Sequence, residues 1–429
     1  MKTNRIRLNS LVLWFIVLFF GMGACTPAAP ALTSTPTSSA NDGCDVDKID
    51  ITDVSWFREP DGAWRVVGMM RNNSSQPISK VLIGALTKKK NDELVYPEGP
   101  KGETIGAYPS HLLPGDQAPF SAWIKREIPT LDHFSIEKKL CVIADPAEHL
   151  QLQERGGQLL VDDNGLAQVT SEVVNPGPQT ALINAMMVGV FDASGSLLSA
   201  VDAHVTPRIL MPGEKGPVRA TLALPPGAAA QVRSYKLYMD ALVTESAPQL
   251  LDARKDLRVS AQYLDTNGHF HLVGQITNPG TKPLMISLQA TVYADPAGTT
   301  VVDTALLNTL VPLAPGADMS FDLTDWGVLN SKAGLWDSLS KEKPAVVLRV
   351  EPFHTWTTAI SVAPLTVVEQ EPAFGKQEAV FTGQVRNETG RNIILGTVTV
   401  TLRDKASGKI TATGQTALDI VNALADGET

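Results

Sequence analysis

The stretch Gly274-Gln275-Ile276-Thr277-Asn278-Pro279-Gly280 begins the pattern that decides the fold. The pattern continues through an alternating run to Tyr293, a turn at Asp295-Pro296-Ala297-Gly298, and a Pro315-Gly316 pair. The same order of features occurs four times, marked by Asn72, Asn175, Asn278 and Asn387, which are 103, 103 and 109 residues apart. A period near one hundred residues predicts a tandem array of small domains.

Each repeat has the pattern of antiparallel strands. From Phe270 to Ile276 apolar and other residues alternate with a period of two, as in a half-buried strand. The run from Ile286 to Val292 alternates in the same way, which predicts one buried face and one wet face. No long amphipathic helical pattern lies between the strands. The sequence therefore predicts an all-β protein of tandem immunoglobulin-like antiparallel β-sandwich domains, arranged as beads on a string.

The recurring asparagines are explained as turn residues. In Asn175-Pro176-Gly177 and Asn278-Pro279-Gly280, proline presets φ at the second position and glycine accepts a positive φ at the third. The short asparagine amide at the first position is able to bond the backbone two residues on. We therefore predict a structural role for Asn72, Asn175, Asn278 and Asn387.

The pattern resembles that of the FxLYD family of bacterial immunoglobulin-like domains. The residues that carry the resemblance are Gly274, Ile276 and Asn278, then Val292-Tyr293-Ala294-Asp295 with Gly298, then Leu313-Ala314-Pro315-Gly316. Repeat one departs most, with Lys88-Lys89-Lys90-Asn91-Asp92 at its turn, and repeat two has Ser171 in place of glycine. The resemblance implies an accessory domain of the cell envelope, and it brings no catalytic residues.

Residues 1–25 have the composition of a lipoprotein signal peptide, which we expect to be a processing signal and not a folded element. A basic start precedes the apolar run Leu11 to Phe20, and Met22-Gly23-Ala24-Cys25 resembles a bacterial lipobox. This implies that Cys25 is lipidated, with a palmitate-type chain, after cleavage. Two alternatives are an ordinary secretory peptide and an uncleaved anchor. Residues 26–43 are rich in Pro, Ala, Ser and Thr and are predicted to be a disordered tether.

The cysteine count fits an extracytoplasmic, lipid-anchored location. If Cys25 carries lipid, Cys44 and Cys141 remain as a pair in an oxidising compartment. A disulfide between them would join the two ends of repeat one. The alternative is two buried free thiols.

The predicted domains follow from the spacing of the motifs. Repeat one spans residues 44–145, repeat two 155–244, repeat three 257–349 and repeat four 358–429, with residues 146–154 and 245–256 as connectors. Repeat four reaches only Leu424-Ala425-Asp426-Gly427-Glu428, where the others have Pro-Gly, so we expect it to be incomplete and the reading frame to be truncated.

Repeat three carries extra residues after its Pro-Gly pair, and the pattern predicts a short helix there. This segment contains Trp326 and Trp336. Exposed aromatic residues often anchor partners, so both are candidate partner contacts. The alternative is a structural role, in which both rings cover the end of a sheet.

Motifs of catalysis and cofactor binding are not found in the sequence. It contains no H-E-x-x-H, G-x-S-x-G or P-loop pattern. His269 and His271 are two residues apart on one strand face, where they are a candidate pair of metal ligands. Two histidines without a third ligand usually belong to a solvated face. No metal site and no cofactor is therefore predicted. The formal net charge of −9 argues against nucleic acid as a partner.

These observations favour a non-enzymatic, lipid-anchored envelope protein. Its tandem domains would act as an extracytoplasmic spacer or a protein-binding array, with membrane lipid bound through Cys25 and other envelope proteins as partners. A second hypothesis is a surface lipoprotein that captures glycans or solutes with a row of exposed aromatic residues. An enzyme would need a cleft with converging polar side chains.

Overall fold

The secondary structure of the chain is almost entirely β in its computed structural model. The structure describes residues 4–7, 44–95, 103–107, 111–125, 127–128, 130–145, 149–162, 164–245, 257–308, 312–332, 334–341, 344–354, 365–375, 379–394, 396–418 and 423–429. All strand pairs are antiparallel, and the prediction of tandem β-sandwich domains is confirmed. No helix among these residues has the length and apolar character to cross a bilayer.

Repeat one is built from two three-stranded sheets. Their strands are β2 (Ile49–Arg58), β3 (Trp64–Asn72), β4 (Ile78–Lys88), β5 (Glu103–Ala107), β6 (Gln117–Ile124) and β7 (His133–Ile143). One sheet has the order β2-β3-β6 and the other β5-β4-β7. A single cluster of buried side chains from both sheets forms the core between them, including Val66, Phe120, Ile83 and Phe134.

Repeat two has the same plan with extra short edge strands. Its strands are β8 (His149–Leu150), β9 (Gln153–Val161), β10 (Leu166–Val174), β11 (Ala181–Phe191), β12 (Leu197–Asp202), β13 (His204–Val205), β14 (Ile209–Leu210), β15 (Lys215–Ala223) and β16 (Ser234–Val243). The two sheets have the orders β9-β10-β15-β13 and β12-β11-β16-β8. Strand β8 lies in the segment that was predicted to be a connector. It forms a strand there because its backbone pairs with the edge of β16.

Repeat three returns to the arrangement of repeat one. Its strands are β17 (Leu257–Leu264), β18 (Phe270–Thr277), β19 (Met285–Tyr293), β20 (Val301–Asn308), β21 (Asp318–Leu323) and β22 (Val346–His354). The sheets have the orders β17-β18-β21 and β20-β19-β22. The predicted short helix is present as α1 (Val328–Ser331) and α2 (Leu335–Lys341).

The expectation of a wet face on β19 is wrong. The polar side chains of Ser287, Gln289 and Thr291 are as buried as the apolar ones between them. Strand β19 is the middle strand of its sheet, and Gln289 Nε2 donates to Thr304 Oγ1 on the neighbouring β20 at 3.3 Å. Hydrogen bonding of this kind reduces the cost of burying an amide.

The chain divides into two compact units, and repeat four contributes to both. Residues 43–363 and 395–419 form the larger unit, and residues 1–42, 364–394 and 420–429 form the smaller one. The larger unit contains the hairpin of β25 (Thr397–Arg403) and β26 (Ile410–Ala417). The smaller unit contains the sheet of β23 (Thr366–Phe374) and β24 (Ala379–Arg386), with β1 (Asn4–Arg7) on the other edge of β24.

Strand β1 departs from the expectation that residues 1–25 contain no folded element. Asn4 lies opposite Gly383 on β24. The equivalent partners in the other repeats are Phe120 on β6, Val218 on β15 and Phe321 on β21, opposite Gly68, Ser171 and Gly274. The backbone of β1 therefore takes the place on β24 that a later strand takes in the other three repeats. Cys25 and the tether lie outside the described residues.

The four marker asparagines make one shared set of hydrogen bonds, which we call the asparagine clamp. Each is fully buried. Each Oδ1 accepts from the backbone N–H two residues on, at 2.8–3.1 Å. Each Nδ2 donates to the carbonyl four residues on, at 2.6–3.0 Å, and to a distant leucine carbonyl, at 2.8–3.0 Å. These leucines are Leu112, Leu210, Leu313 and Leu424.

The local part of the clamp is the predicted turn bond, and the distant part is new. Gly115, Gly213, Gly316 and Gly427 donate their N–H to the carbonyl of the same asparagines. The asparagine side chain and backbone thus hold the Leu-x-x-Gly segment, 35–40 residues away, against the first turn. The motif spacing in the sequence reflects this long-range contact.

Candidate functional site

Repeats one and two share a hydrophobic cluster at their junction. Met187, Leu197, Ala200 and Tyr238 of repeat two belong to the same buried cluster as the core of repeat one. Strand β12 packs against β3 and β6. Because apolar burial is the main favourable term in packing, the two repeats stabilise each other at this contact.

A cleft of about 430 Å³ opens at the same junction. Its walls are Arg71, His111, Leu112, Gly115, Asp116 and Gln117 of repeat one and Lys236, Leu237, Tyr238 and Met239 of repeat two. Lys236 Nζ lies 4.8 Å from the ring centroid of Tyr238, a cation–π contact. Burial raises the pKa of Tyr238 to about 12, so its hydroxyl stays protonated at neutral pH.

Two stacked imidazoles stand at one side of this cleft. The ring centroids of His111 and His149 are 3.6 Å apart. His149 Nδ1 lies 2.8 Å from Oδ1 of the buried Asp240, whose Oδ2 accepts from Asn184 Nδ2 at 2.8 Å. Burial lowers the pKa of His111, and the neighbouring His149 lowers it further.

The His149–Asp240 pair has the geometry that orients a general base. The described cleft lining contains no Ser, Thr or Cys, and the hydroxyl that it does contain, that of Tyr238, stays protonated at neutral pH. Asp240 thus holds the ring of His149 against that of His111, so the stacked pair contributes to the junction between repeats one and two.

Repeats two and three meet through buried polar groups. The hydroxyl of Tyr293 donates to Glu172 Oε1, and Lys215 Nζ donates to Glu172 Oε2 at 2.8 Å. Glu172 is 3 % exposed and Tyr293 is 1 % exposed. Thr170 Oγ1 donates to the carbonyl of Val301 at 3.1 Å. A buried carboxylate with several donors is costly to separate from them, so this junction is specific in its geometry.

Arg219 extends this junction at its edge. Its Nη1 donates to the carbonyls of Thr304 at 3.0 Å and Asp325 at 2.6 Å, and its Nη2 to Asp325 Oδ2 at 2.9 Å. Gln168 Nε2 donates to Ser331 Oγ at 2.9 Å. The guanidinium therefore holds the loop before α1 of repeat three against the outer sheet face of repeat two.

A buried carboxyl lies next to this contact. Asp303 is fully buried, and its Oδ2 accepts from the backbone N–H of Leu329 at 2.9 Å while its Oδ1 accepts from its neighbour Thr304 at 2.8 Å. Burial raises the pKa of Asp303 to about 6, against the opposing effects of these hydrogen bonds and of Arg219. Asp303 therefore titrates in the mildly acidic range.

The same face of each repeat receives the next repeat. Strand β12 of repeat two packs on β3 and β6, β20 of repeat three packs on β10 and β15, and β26 of repeat four packs on β18 and β21. At the last junction Thr401 Oγ1 donates to Ser320 Oγ at 2.9 Å. One packing rule therefore describes all three junctions of the larger unit.

The metal candidates of the sequence, His269 and His271, lie on this outer face in repeat three. His271 Nδ1 is 2.9 Å from Asp322 Oδ2, and Tyr263 stacks on the His271 ring at 4.8 Å. Burial of the His271 ring lowers its pKa, but the hydrogen bond to Asp322 and the charges of Asp322 and Asp265 outweigh this, so the pKa of His271 is raised overall. Within the described ranges no three His, Cys, Asp or Glu side chains converge as a ready metal centre.

The tryptophans of repeat three cover its core. Trp326 is 3 % exposed, its Nε1 donates to the carbonyl of Leu323 at 2.8 Å, and its ring packs on Phe270. Trp336 is half-buried, with its ring centroid 4.1 Å from that of Phe270. The prediction of Trp326 as a partner contact is wrong because the ring is enclosed by its own repeat, and the sheet-covering interpretation describes both residues.

The cysteines of repeat one form the predicted pair. A disulfide joins Cys44 and Cys141, whose Cα atoms are 5.4 Å apart. Cys141 is fully buried in β7, and Cys44 packs against the same core. The bond therefore joins the segment before β2 to the last strand of the repeat.

Sequence reasoning missed the junction residues. Gln168, Glu172 and Arg219 have the polar character of a solvated face, and their partners in the next repeat are more than 80 residues away. The one available signal was the position of Gln168, which stands three residues before Ser171, as Arg65 and His271 stand three before Gly68 and Gly274.

Comparison with known proteins adds no relative. No family model matches the chain, and no curated protein matches it. The resemblance to FxLYD domains therefore depends on the motif residues alone.

Proposed function

We propose that this chain is a non-catalytic, lipid-anchored protein of the cell envelope whose tandem immunoglobulin-like domains act as an extracytoplasmic spacer or protein-binding array. The observation that carries the proposal is the repeated packing of one repeat on the outer sheet face of the one before it. A spacer has to keep its length, and buried junctions restrict bending far more than flexible linkers do.

The contacts at the second junction supply the stiffness that the proposal requires. Glu172, Tyr293 and Lys215 form a buried polar group there, and Arg219 spans both repeats. Bending at this point would leave a buried carboxylate without its donors, which is unfavourable. Repeats one to three would therefore present their surfaces at fixed distances from one another.

Small-angle X-ray scattering of residues 44–354, which include the whole of β22, tests the spacer. We expect a narrow distribution of interatomic distances for the native sequence and a broader one for Arg219→Ala. Arg233→Ala is the matched control, because the Arg233 guanidinium bonds only to carbonyls of its own loop in the described structure. Equal scattering of the native chain and Arg219→Ala, or a native chain as flexible as a linked-bead polymer, would refute the spacer proposal.

The anchor is tested by metabolic labelling with a palmitate analogue. The lipobox resemblance at Met22-Gly23-Ala24-Cys25 predicts that the native chain takes up label and Cys25→Ala does not. Label retained by the variant would show that another residue is modified.

Partners are tested by pulldown from detergent-solubilised membranes. Specific recovery of envelope proteins supports the binding array, and retention on polysaccharide columns supports the alternative of glycan capture. That alternative predicted a row of exposed aromatic residues. Among the described side chains, Trp123 and Phe374 are the exposed large aromatics, and they lie on different repeats.

A further inference from the structure

The cleft between repeats one and two runs along an edge of a β-sheet. Four consecutive residues of β16, numbers 236–239, line it, and none of its described lining residues belongs to the neighbouring strand β11. The side chain of Leu237 packs in the core of repeat two, so the backbone of β16 borders the cleft at this residue. The cleft therefore lies on the side of β16 that faces away from β11.

This edge of β16 is only partly paired. Strand β8 pairs with it at Ala241 and Leu242 and at no other residue of β16. No other described strand pairs with β16 on the side opposite β11. Along residues 236–239 the edge therefore presents backbone N–H and C=O groups that have no strand partner, and such an edge is a template for the addition of another strand.

Cationic side chains stand on both walls of the cleft. Arg71 of repeat one and Lys236 of repeat two are exposed, and neither forms a salt bridge with a described carboxylate. Asp116 is the one carboxylate among the described lining residues, and its Oδ2 accepts from the N–H of Leu113 at 3.2 Å. Burial lowers the pKa of His111, so that ring is neutral at pH 7. With two cations and one carboxylate, the cleft is locally positive in a protein whose formal net charge is −9.

We propose that this cleft binds an extended, acidic segment of a partner protein, which adds to the open edge of β16 as a further strand. The backbone of the segment bonds to residues 236–239, and its Asp or Glu side chain pairs with Arg71 or Lys236. Four residues of a strand span about 13 Å, so the site takes a short segment. The inference rests on the protein-binding part of the proposed function and names the class of partner.

The open edge favours a polypeptide over a small solute. The donors and acceptors of a sheet edge are spaced to match those of another strand, and main-chain bonds of this kind supply the affinity in strand addition. Opposite charge on the partner then selects among peptides and speeds association. Tyr238 and Met187 pack in the core cluster of repeat one and hold the two walls together. The site is therefore formed before the peptide arrives, which lowers the cost of binding.

The test is a selection from a phage-displayed library of random octapeptides on the purified, immobilised full chain. We expect enrichment of peptides that contain Asp or Glu among β-branched residues. The most enriched peptide is synthesised with a fluorescent label, and its binding is measured by fluorescence anisotropy. Arg71→Glu and Lys236→Glu should each weaken this binding about tenfold, since each replaces an attraction with a repulsion. Lys405→Glu is the matched control, because it makes the same change in net charge at an exposed residue of repeat four.

Two N-methylated versions of the same peptide test the backbone bonds. One carries methyl groups on the odd-numbered amide nitrogens and the other on the even-numbered ones. Alternate residues of an added strand direct their N–H groups toward the neighbouring strand. One version should therefore lose binding by at least about tenfold and the other should keep it.

Several results would overturn the proposal. These are a selection without enrichment, binding unchanged in both Arg71→Glu and Lys236→Glu, equal weakening by Lys405→Glu, or equal binding of the two N-methylated versions. Binding of free citrate by a chain that selects no peptide would identify a small-solute site instead. Far-ultraviolet circular dichroism checks that each variant is folded, and both replaced side chains are exposed. A membrane pulldown that still recovers envelope proteins would leave the proposed function standing when this inference fails.

Discussion

Replacement of Asn278 by alanine tests whether the asparagine clamp holds each repeat together. The change removes Nδ2 bonds to the carbonyls of Lys282 at 3.0 Å and Leu313 at 2.8 Å, and the Oδ1 bond from Gly280 N–H at 2.8 Å. A typical internal hydrogen bond contributes about 1 kcal/mol net. The Leu313 carbonyl keeps its bond from the N–H of Leu284, so this carbonyl is not left without a donor.

The expected loss in the free energy of unfolding of repeat three is therefore about 3 kcal/mol. Hydrogen exchange followed by mass spectrometry measures this loss locally. Amides of β18 and β19 should lose about a hundredfold in protection, since 1.4 kcal/mol corresponds to a factor of ten. Amides of β3 in repeat one should change little, because their own clamp is intact.

Two further variants separate the clamp from a general effect of mutation. Asn267→Ala alters an exposed turn residue of the same repeat and should change stability by less than about 0.5 kcal/mol. Asn278→Asp keeps the acceptor but places a buried charge against two carbonyls, so it should be more damaging than Asn278→Ala. A loss of protection below tenfold in Asn278→Ala, or an Asn278→Asp variant milder than Asn278→Ala, would refute the reasoning.

Three other predictions follow from the geometry. The pKa of Asp303 is about 6 in the folded state and 3.8 in the unfolded chain, so its ionisation lowers the stability as the pH rises from about 4 to 6. Relative to the native chain, Asp303→Asn should therefore gain up to about 3 kcal/mol of unfolding free energy between pH 4 and pH 7, as measured in urea titrations. A stability difference that does not change with pH would contradict this. Loss of the disulfide in a Cys44→Ala, Cys141→Ala double variant should cost repeat one up to about 4 kcal/mol, and thermal unfolding unchanged by the variant would contradict a constraint across 97 residues. Gly274→Ala would place a Cβ 2.4 Å from Phe321 Cζ, so a loss of about 1–3 kcal/mol is expected in denaturant titrations, and native stability would show that the strands separate easily.

Local chemistry predicted the elements of the fold well. The alternation from Phe270 to Ile276 and the Asn-Pro-Gly turn each depend on neighbouring residues, and the structure has a strand and a turn there. The second half of the asparagine clamp depends on strand register, which places Leu313 beside Asn278 from 35 residues away. Short-range patterns contain no information on that distance, although the constant spacing of the motifs reflected it.

The candidate sites were harder to predict than the strands. His271 and Asp322 lie 51 residues apart and meet only because β18 pairs with β21 in one register. Glu172 has the character of a solvated residue, and its burial depends on a side chain of the next repeat. The sequence left open whether Trp326 contacts a partner or covers a sheet end, because an aromatic residue in an insertion has the same sequence pattern whether its ring is exposed or buried. The structure buries the ring.

The asparagine clamp and the junctions differ in how they survive gene duplication. Every hydrogen bond of the clamp starts and ends within one repeat, so unequal crossing-over that copies a segment of about a hundred residues copies the whole device. The junction residues Gln168, Glu172 and Arg219 contact side chains of the next repeat, and equivalent positions are free to diverge in every new copy. An array built from such a repeat gains further repeats without losing the fold of any of them, while each new junction evolves its own contact residues.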